Sequence, residues 1–450
     1  MSAVDHDLVV IGAGSGGLAS ALRAARHGAR VALLEPAAVG GTCVNVGCVP
    51  KKVMWEAASL AAQLPRARHF GLQVPDTPAL DWAQLVTARQ AYIARIHASY
   101  QRQFNSTGVE QINQRGHLLG DGQVGLADGR TLRARHIVLA TGARPRRPDM
   151  PGAEHLQVSD DVFAWDALPQ RVAIIGGGYI GVELAGLLQG LGSQVHLLVR
   201  GQRQLDGFDA ELASQLAEVM AGHGVQLHWQ ATVSAVAGQP GALELVGDNL
   251  PGGRFDAVVA ATGRQPNVDG LGLSAAGVAC TAKGFIQADA DTLATSAAGI
   301  WAVGDVTGQL ALTPMAVAQG RRLADALFGP GAGPAIDPAR VPSVVFSHPP
   351  LGKVGLDEAT ARQQHAQVSV YRANFLSLAE GAGGGRQRHL FKVVCAGPEE
   401  TVVGIHLLGE GGDEMLQGFA VALQCGARWA HFRQTLPIHP TSAEEVVLAR

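Results

Sequence analysis

Two glycine-rich turns, "VIGAGSGG" near the start of the chain and its echo "IIGGGYIG" beginning at Ile174, constrain the fold more than any other feature. The first lies in "DLVVIGAGSGGLASALRAARHGARVALLEP", where Asp7–Ile11 reads as a short apolar strand and Gly12, Gly14 and Gly17 spell G-x-G-x-x-G. A helix with apolar and alanine positions at helical spacing follows, then a second strand over Val31–Leu34. Gly12 permits the tight turn, Gly14 lets a pyrophosphate approach the backbone, and Gly17 lets the helix pack on the strand. The helix N-terminus adds free amide donors and a partial positive charge for the phosphates. Glu35 closes the unit 23 residues after Gly12, where a carboxylate binds both ribose hydroxyls.

The second unit, "RVAIIGGGYIGVELAGLLQGLGSQVHLLVR", carries Gly176, Gly178 and Gly181. Counting 23 residues from Gly176 reaches Val199, so the acidic position is empty, and Arg200 follows. An apolar residue and then a guanidinium suit a ribose bearing a 2′-phosphate, which argues for NADP(H). Gly181 in the third slot leans towards NAD(H). Two dinucleotide folds in one chain imply two nucleotides that exchange electrons.

The rest of the chain fits this plan. "HIVLATGARPRRP" (His136–Pro148) and "DAVVAATGRQPN" (Asp256–Asn267) are each an apolar strand running into Ala-Thr-Gly, as expected on either side of an inserted unit. In "GIWAVGDVTG", Asp305 follows a strand and a glycine, where it can hydrogen-bond a polyol such as a ribityl chain. Beyond the turn-rich "GPGAGPAIDP", strand-like runs at Phe391–Cys395 and Val402–Leu408 flank no further glycine motif, and Glu414–Gln424 reads as helix. The expected class is α/β, with two Rossmann-like dinucleotide-binding domains, the second inserted in the first, plus a C-terminal α+β domain. The predicted boundaries are 1–150 with 271–335, 151–270, and 336–450.

A net charge of −3 over 450 residues gives no sign of a nucleic-acid or membrane-surface binder, and no apolar run has the length of a spanning helix. The N-terminus runs into a strand without a basic region or cleavage site, and five cysteines are too few for a secreted disulfide framework. The expected location is therefore cytoplasmic. Cys43 and Cys48, five apart in "GTCVNVGCVPKK", then need another explanation. Zinc needs about four ligands, and no histidine pair lies nearby, so no metal is expected. Inert buried thiols fit poorly with a position eight residues beyond Glu35, next to the first dinucleotide. A redox pair fits, on one condition. In a regular helix these Cα atoms stand roughly 8–9 Å apart, whereas a disulfide needs less than ~7 Å. Gly47 and Pro50 are the residues expected to distort the helix start enough to close the ring. A helix N-terminus with Lys51 and Lys52 nearby is expected to depress both thiol pKa values.

"GGTCVNVGCVPKKVMW" resembles the active-site segment of the glutathione reductases, in the FAD-dependent pyridine nucleotide–disulfide oxidoreductase family (class I). "VVFSHPPLGKVGL", "GDEMLQGFAVAL" and "HPTSAEE" resemble later segments of the same family, so the likeness covers essentially the whole chain. Dihydrolipoamide dehydrogenases continue the cysteine segment differently, and mercuric reductases and large thioredoxin reductases carry an extra C-terminal redox pair. The resemblance implies NADPH-dependent reduction of glutathione disulfide through FAD and a Cys43–Cys48 disulfide. Cys48 is then the flavin-side thiolate and Cys43 the interchange thiol. It implies a homodimer in which His439, oriented by Glu444, serves as acid–base group in the partner's site.

Lys51 and Glu183 match the ion pair beside the flavin, and Tyr179 matches the ring that covers it. Ser15, Gly16, Thr42, Thr141, Gly142, Asp305 and Thr313 match FAD contacts, and Ile180, Arg203 and Gly263 match nicotinamide-nucleotide contacts. Ser15, Arg23, Tyr100 and Arg321 match residues that hold the disulfide substrate. Two departures stand out. Leu22 replaces an arginine of some members, and Asp206 replaces a second phosphate-binding arginine, a role left to Arg203. The alternatives are reduction of a related disulfide (trypanothione or glutathione amide), use of NADH, or a flavoprotein redox sensor without turnover.

Overall fold

The computed structural model describes residues 4–74 and 79–450, which divide into two compact units. The first comprises the chain up to Lys51, Val86–Arg146 and Gly263–Ile336. Its sheet starts from β1 (His6–Ile11), followed by helix α1 (Ser15–Arg26) and β2 (Val31–Leu34). β1 lies parallel to β2 on one side and to Thr131–Leu139 on the other, with Glu110–Ile112 and Ile300–Ala302 extending the sheet. Leu8 and Val10 pack under α1 with Leu18 and Ala21, while Val9 and Ile11 join Leu118, Val124 and Ile137 on the opposite face. Both faces are covered, which is why this strand reads as an uninterrupted apolar run. Leu22 is buried in the α1 core, so apolar packing accounts for its replacing an arginine.

The same unit contains the segments that follow the two Ala-Thr-Gly returns. These, Ala143–Pro145 and Arg264–Pro266, pair antiparallel. Thr141 and Asn267 lock this ribbon by exchanging two bonds: Thr141 Oγ1 donates to Asn267 O at 2.7 Å and Asn267 Nδ2 to Thr141 O at 3.0 Å.

The second unit comprises Lys52–Leu85, Arg147–Thr262 and Asp337–Arg450. It holds a five-stranded parallel sheet in the order Gln226–Trp229, Gln194–Val199, Arg171–Ile175, Ala257–Ala260, Gln157–Val158. The C-terminal region forms a five-stranded antiparallel sheet ordered Ser343–Val345, Leu351–Gly355, Thr401–Leu408, Arg388–Ala396, Val368–Leu376. Helix Gly412–Gln424 buries Leu416, Ala420 and Leu423 against Phe391, Ile405 and Leu407. Cys395 sits fully inside this core, and burial pushes its thiol up to about 12, which makes it a packing residue. Residues Lys52–Leu85 group with this unit for specific reasons. Trp55 Nε1 donates to Ser347 O at 3.0 Å, and Arg66 pairs with Glu380 and Glu410 at 2.7 Å each.

Candidate active site

The glycines of the first turn meet the steric demands that their spacing implies. Gly12 has φ +103°, and a Cβ there would lie 2.5 Å from Ala140 O; at Gly17 it would lie 1.9 Å from Gly12 O. Gly14 faces open space, with only Gly41 Cα within 3.9 Å, and it starts α1 without a side-chain cap. The first amides of a twelve-residue helix are thus left for an anion. Glu35 shapes the turn itself, accepting from Ala13 N at 2.9 Å and Ala37 N at 3.1 Å. Gly16 is buried against Gly320 of helix Thr313–Phe328, where a Cβ on Gly320 would stand 2.5 Å from Gly16 O. Asp305 occupies the short helical turn Gly304–Thr307. Burial pushes its carboxyl up, opposed by Arg264 at 3.9 Å, so a hydroxyl-rich ligand fits beside it. These features fit a dinucleotide with a polyol chain.

The cysteines follow directly. Gly40 N donates to Ala13 O at 2.8 Å, and Gly41 packs so close to Gly14 that a Cβ would lie 2.7 Å from its Cα. This contact starts α2 (Gly41–Asn45) against the glycine-rich turn. The helix then breaks: Val46 takes φ −143°, and α3 (Cys48–Ala67) begins afresh. Gly47 is required at the break, because a Cβ would meet Thr42 O at 2.7 Å. The cysteines therefore lie in the first turns of two successive helices rather than in one distorted helix, and Pro50 falls in a first turn, where it is tolerated.

Electrostatics separate the two sulfurs. The Cys43 thiol is pushed up by its hydrogen bond with Cys48, then by burial and the Cys48 charge, with Thr313 and Ser15 pulling the other way. Only one proton leaves such a pair easily, so the expectation of two depressed thiols fails for Cys43. Cys48 Sγ lies 3.7 Å from Thr313 Oγ1 at the start of its helix. Tyr100 is half-buried, and its phenol is raised by burial and, when Cys43 is ionised, by that charge, which makes it a neutral donor near that sulfur. Lys51 is buried in the first turn of α3.

In the second unit, the glycine geometry repeats. Gly176 has φ +127° with Ala261 O 2.4 Å from a Cβ, Gly181 would place one 2.0 Å from Gly176 O, and Gly178 is open. Tyr179 and Ile180 begin helix Tyr179–Gly190, with Tyr179 43% exposed. Glu183 is buried and accepts from Phe346 N at 2.9 Å. Val199 is buried, Arg200 is exposed, and Arg203 Nη2 lies 3.9 Å from Asp206 Oδ1. His439 is 78% exposed, with Nδ1 3.1 Å from Glu444 Oε2. The Glu444 carboxyl is held down by the Thr441 amide and then by His439. With Nδ1 engaged, Nε2 is the ring nitrogen left for a reactant on this exposed side chain, and Leu436 and Ile438, a few residues earlier in the chain, are exposed too.

A family model described as "Pyridine nucleotide-disulphide oxidoreductase" matches residues 6–320, and one for the family's dimerisation domain matches 341–450. The chain belongs to this family. Within the pyridine nucleotide-disulphide oxidoreductases it falls among the glutathione reductases. It is 40% identical to a glutathione reductase of Yarrowia lipolytica over 100% of both chains, and 43% identical to one of Burkholderia cepacia over 100% of this chain and 99% of the relative. The HOCl-induced flavoprotein disulfide reductase RclA from Escherichia coli is similar in structure, with TM-score 0.88 and 26% identity, covering 98% of this chain and 99% of that one.

Against that family background, the residues expected to hold substrate divide. Arg321 is exposed on helix Thr313–Phe328. Arg23, in contrast, is bound by Asp325, Nε to Oδ1 at 2.6 Å and Nη2 to Oδ2 at 3.2 Å, and His27 shares that carboxylate at 2.7 Å. Sequence reasoning missed Asn45 and His97. Asn45 Nδ2 donates to Ala38, Val39 and Gly41 carbonyls, and its Oδ1 lies 2.8 Å from His97 Nε2. His97 stands three residues before Tyr100 on one helix face, and that spacing was the available signal.

Proposed function

We propose that this protein is a homodimeric, FAD-dependent glutathione-disulfide reductase that prefers NADPH. The observation that carries the reading is the hydrogen-bonded Cys43–Cys48 pair at a helix break, set against the first glycine-rich turn. Residues 1–150 and 271–335 hold FAD, 151–270 hold the nicotinamide nucleotide, and 336–450 form the dimer interface. FAD, when bound, supplies a relay for two electrons between nicotinamide and sulfur. Gly12, Gly14, Ser15, Gly16, Gly17, Glu35, Thr42, Lys51, Thr141, Gly142, Asp305 and Thr313 would hold it. Gly176, Gly178, Ile180, Gly181, Arg200, Arg203 and Gly263 hold the nicotinamide nucleotide.

The sulfur steps follow from the residues. Cys43 passes its proton to His439 and, as thiolate, attacks one sulfur of the substrate, forming a mixed disulfide and expelling one thiolate, which takes that proton from His439. Cys48, as thiolate, then attacks the Cys43 sulfur, closing the Cys43–Cys48 disulfide and expelling the second product as a thiolate, which takes a proton from solvent. Tyr100 donates near Cys43, and Arg321 meets a substrate carboxylate. Such a dithiol belongs in a reducing compartment, and among the described residues no helix is long and apolar enough to cross a membrane. The dithiol favours the cytoplasm.

A second reading, a reductase of glutathione amide or trypanothione disulfide, draws on the buried Leu22 and the Arg23–Asp325 pair, which leave fewer cations for substrate carboxylates. The kcat/KM values for glutathione disulfide and its amidated forms decide between the two. Glutathione disulfide is expected to lead, and a lead for an amidated disulfide would transfer the assignment.

Nucleotide preference has its own test. A charge-assisted hydrogen bond from Arg200 to a 2′-phosphate gives about ten- to a hundredfold in kcat/KM. Arg200→Leu is expected to remove most of the NADPH preference by weakening NADPH alone. Asp206→Arg is expected to strengthen the preference by releasing Arg203. A wild type that favours NADH would instead make Gly181 and Asp206 the determinants.

A further inference from the structure

The segment Arg200–Asp209, "RGQRQLDGFD", joins the strand Gln194–Val199 to the helix Ala210–Gly222 and is fastened along its length. Gln230 N donates to Gly201 O at 3.0 Å, and Leu205, at φ +55°, donates its N–H to Gly177 O at 2.8 Å. The remaining fasteners come from the C-terminal antiparallel sheet. Lys353 Nζ donates to Gly207 O and stands 4.8 Å from the Phe208 ring centroid. Lys392, whose side chain is 3% exposed, reaches Asp209 Oδ2 at 2.9 Å, Glu211 Oε2 at 3.0 Å and Glu358 Oε2 at 2.8 Å. Asp209 also caps the helix by accepting from Glu211 N at 3.1 Å. Arg372 closes the network on Glu211 and Glu358 at 3.0 and 2.6 Å.

A buried lysine among three carboxylates is weak evidence of net stability, because desolvation opposes the Coulomb gain. Fixing one conformation is the better use of it. The segment it fixes contains Arg203, whose Nε is buried with no hydrogen-bond partner among the described residues, and the Arg203–Asp206 pair.

We propose that Lys353 and Lys392 are positioning residues for nucleotide selectivity, holding this segment in the shape in which Arg200 and Arg203 meet a 2′-phosphate. The proposal rests on the reading of the segment as the phosphate site. The dimerisation domain then sets a selectivity usually sought in the nucleotide domain alone.

The test uses the holoenzyme and calorimetric titration with 2′,5′-ADP and with 5′-AMP, next to kcat/KM for NADPH and NADH. Lys353→Met keeps the stem against Phe208 and removes one donor. It is expected to weaken 2′,5′-ADP about three- to tenfold, as loss of one hydrogen bond implies, with 5′-AMP and NADH unchanged. Lys392→Met is expected to weaken it further, and if that variant does not fold, Lys353→Met decides alone. A loss equal for both ligands, or none, overturns the proposal, since a merely structural role leaves the ratio untouched. Arg200→Leu separates the two layers. If it removes the 2′-phosphate preference while the lysine variants keep it, only the lysine proposal falls. If Arg200→Leu leaves the preference intact, the phosphate reading falls and the lysine proposal with it.

Discussion

Cys43→Ser and Cys48→Ser are each expected to abolish disulfide reduction, yet to differ in colour. The Cys43 thiol holds its proton because Cys48 is its hydrogen-bond partner and, once charged, repels a second charge. Cys48 also opens a twenty-residue helix, whose N-terminus favours a negative sulfur. Cys43→Ser therefore retains a Cys48 thiolate and is expected to show the long-wavelength charge-transfer absorbance of a thiolate beside an oxidised flavin. Cys48→Ser is expected to lack it. Both variants lose one of the two sulfurs that the turnover cycle needs, so residual activity should sit at background. Absorbance spectra and steady-state rates check this. Either single variant turning over near the wild-type rate would remove the dithiol from the mechanism, and the band appearing in Cys48→Ser instead would exchange the two roles.

Much of what depends on short stretches of chain was legible in the sequence. Gly17 must be glycine because the Gly12 carbonyl lies where its Cβ would go, and that contact spans five residues. Gly176 and Gly181 repeat it, so both nucleotide folds were readable from spacing alone. The strand Val31–Leu34 was read to the residue, while helix Gly412–Gln424 starts two residues earlier than Glu414, because Gly411 at φ +78° supplies a start that apolar periodicity does not signal.

Long-range partners were hidden. Arg23 looked available for substrate, but Asp325 sits 302 residues away in sequence and occupies it. Gly47 was expected to distort a helix, whereas the backbone at Val46 ends one helix and lets another begin. The raised Cys43 thiol was unreadable for the same reason. It depends on the sulfurs and the Ser15 and Thr313 hydroxyls converging, and spacing reports none of that.

His439→Ala is expected to slow the disulfide half-reaction by about 10²–10⁴-fold, the usual contribution of a general acid–base group, while flavin reduction by NADPH stays fast. The geometry defines the role. Glu444 engages Nδ1 at 3.1 Å, which fixes the ring and leaves Nε2 for a reactant. Glu444 is itself held by the Thr441 amide, so Glu444→Gln should cost less than His439→Ala, because it loosens the ring without removing it. Leu436 and Ile438, 89% and 76% exposed, give this segment an apolar surface suited to a partner subunit. If the histidine serves the partner's dithiol, inactive Cys43→Ser and His439→Ala homodimers should regain activity on mixing. Each heterodimer then holds one site with both sulfurs and an intact histidine, and one site with neither Cys43 nor His439. With subunits exchanged to a random mixture, half the dimers are mixed and each has one working site, so recovery should approach a quarter of wild-type activity by this count, about 25% at most. Stopped-flow traces separate the two half-reactions, and mass spectrometry of differently labelled subunits measures the exchange. Full exchange without recovery would assign His439 to its own subunit's chemistry or to none.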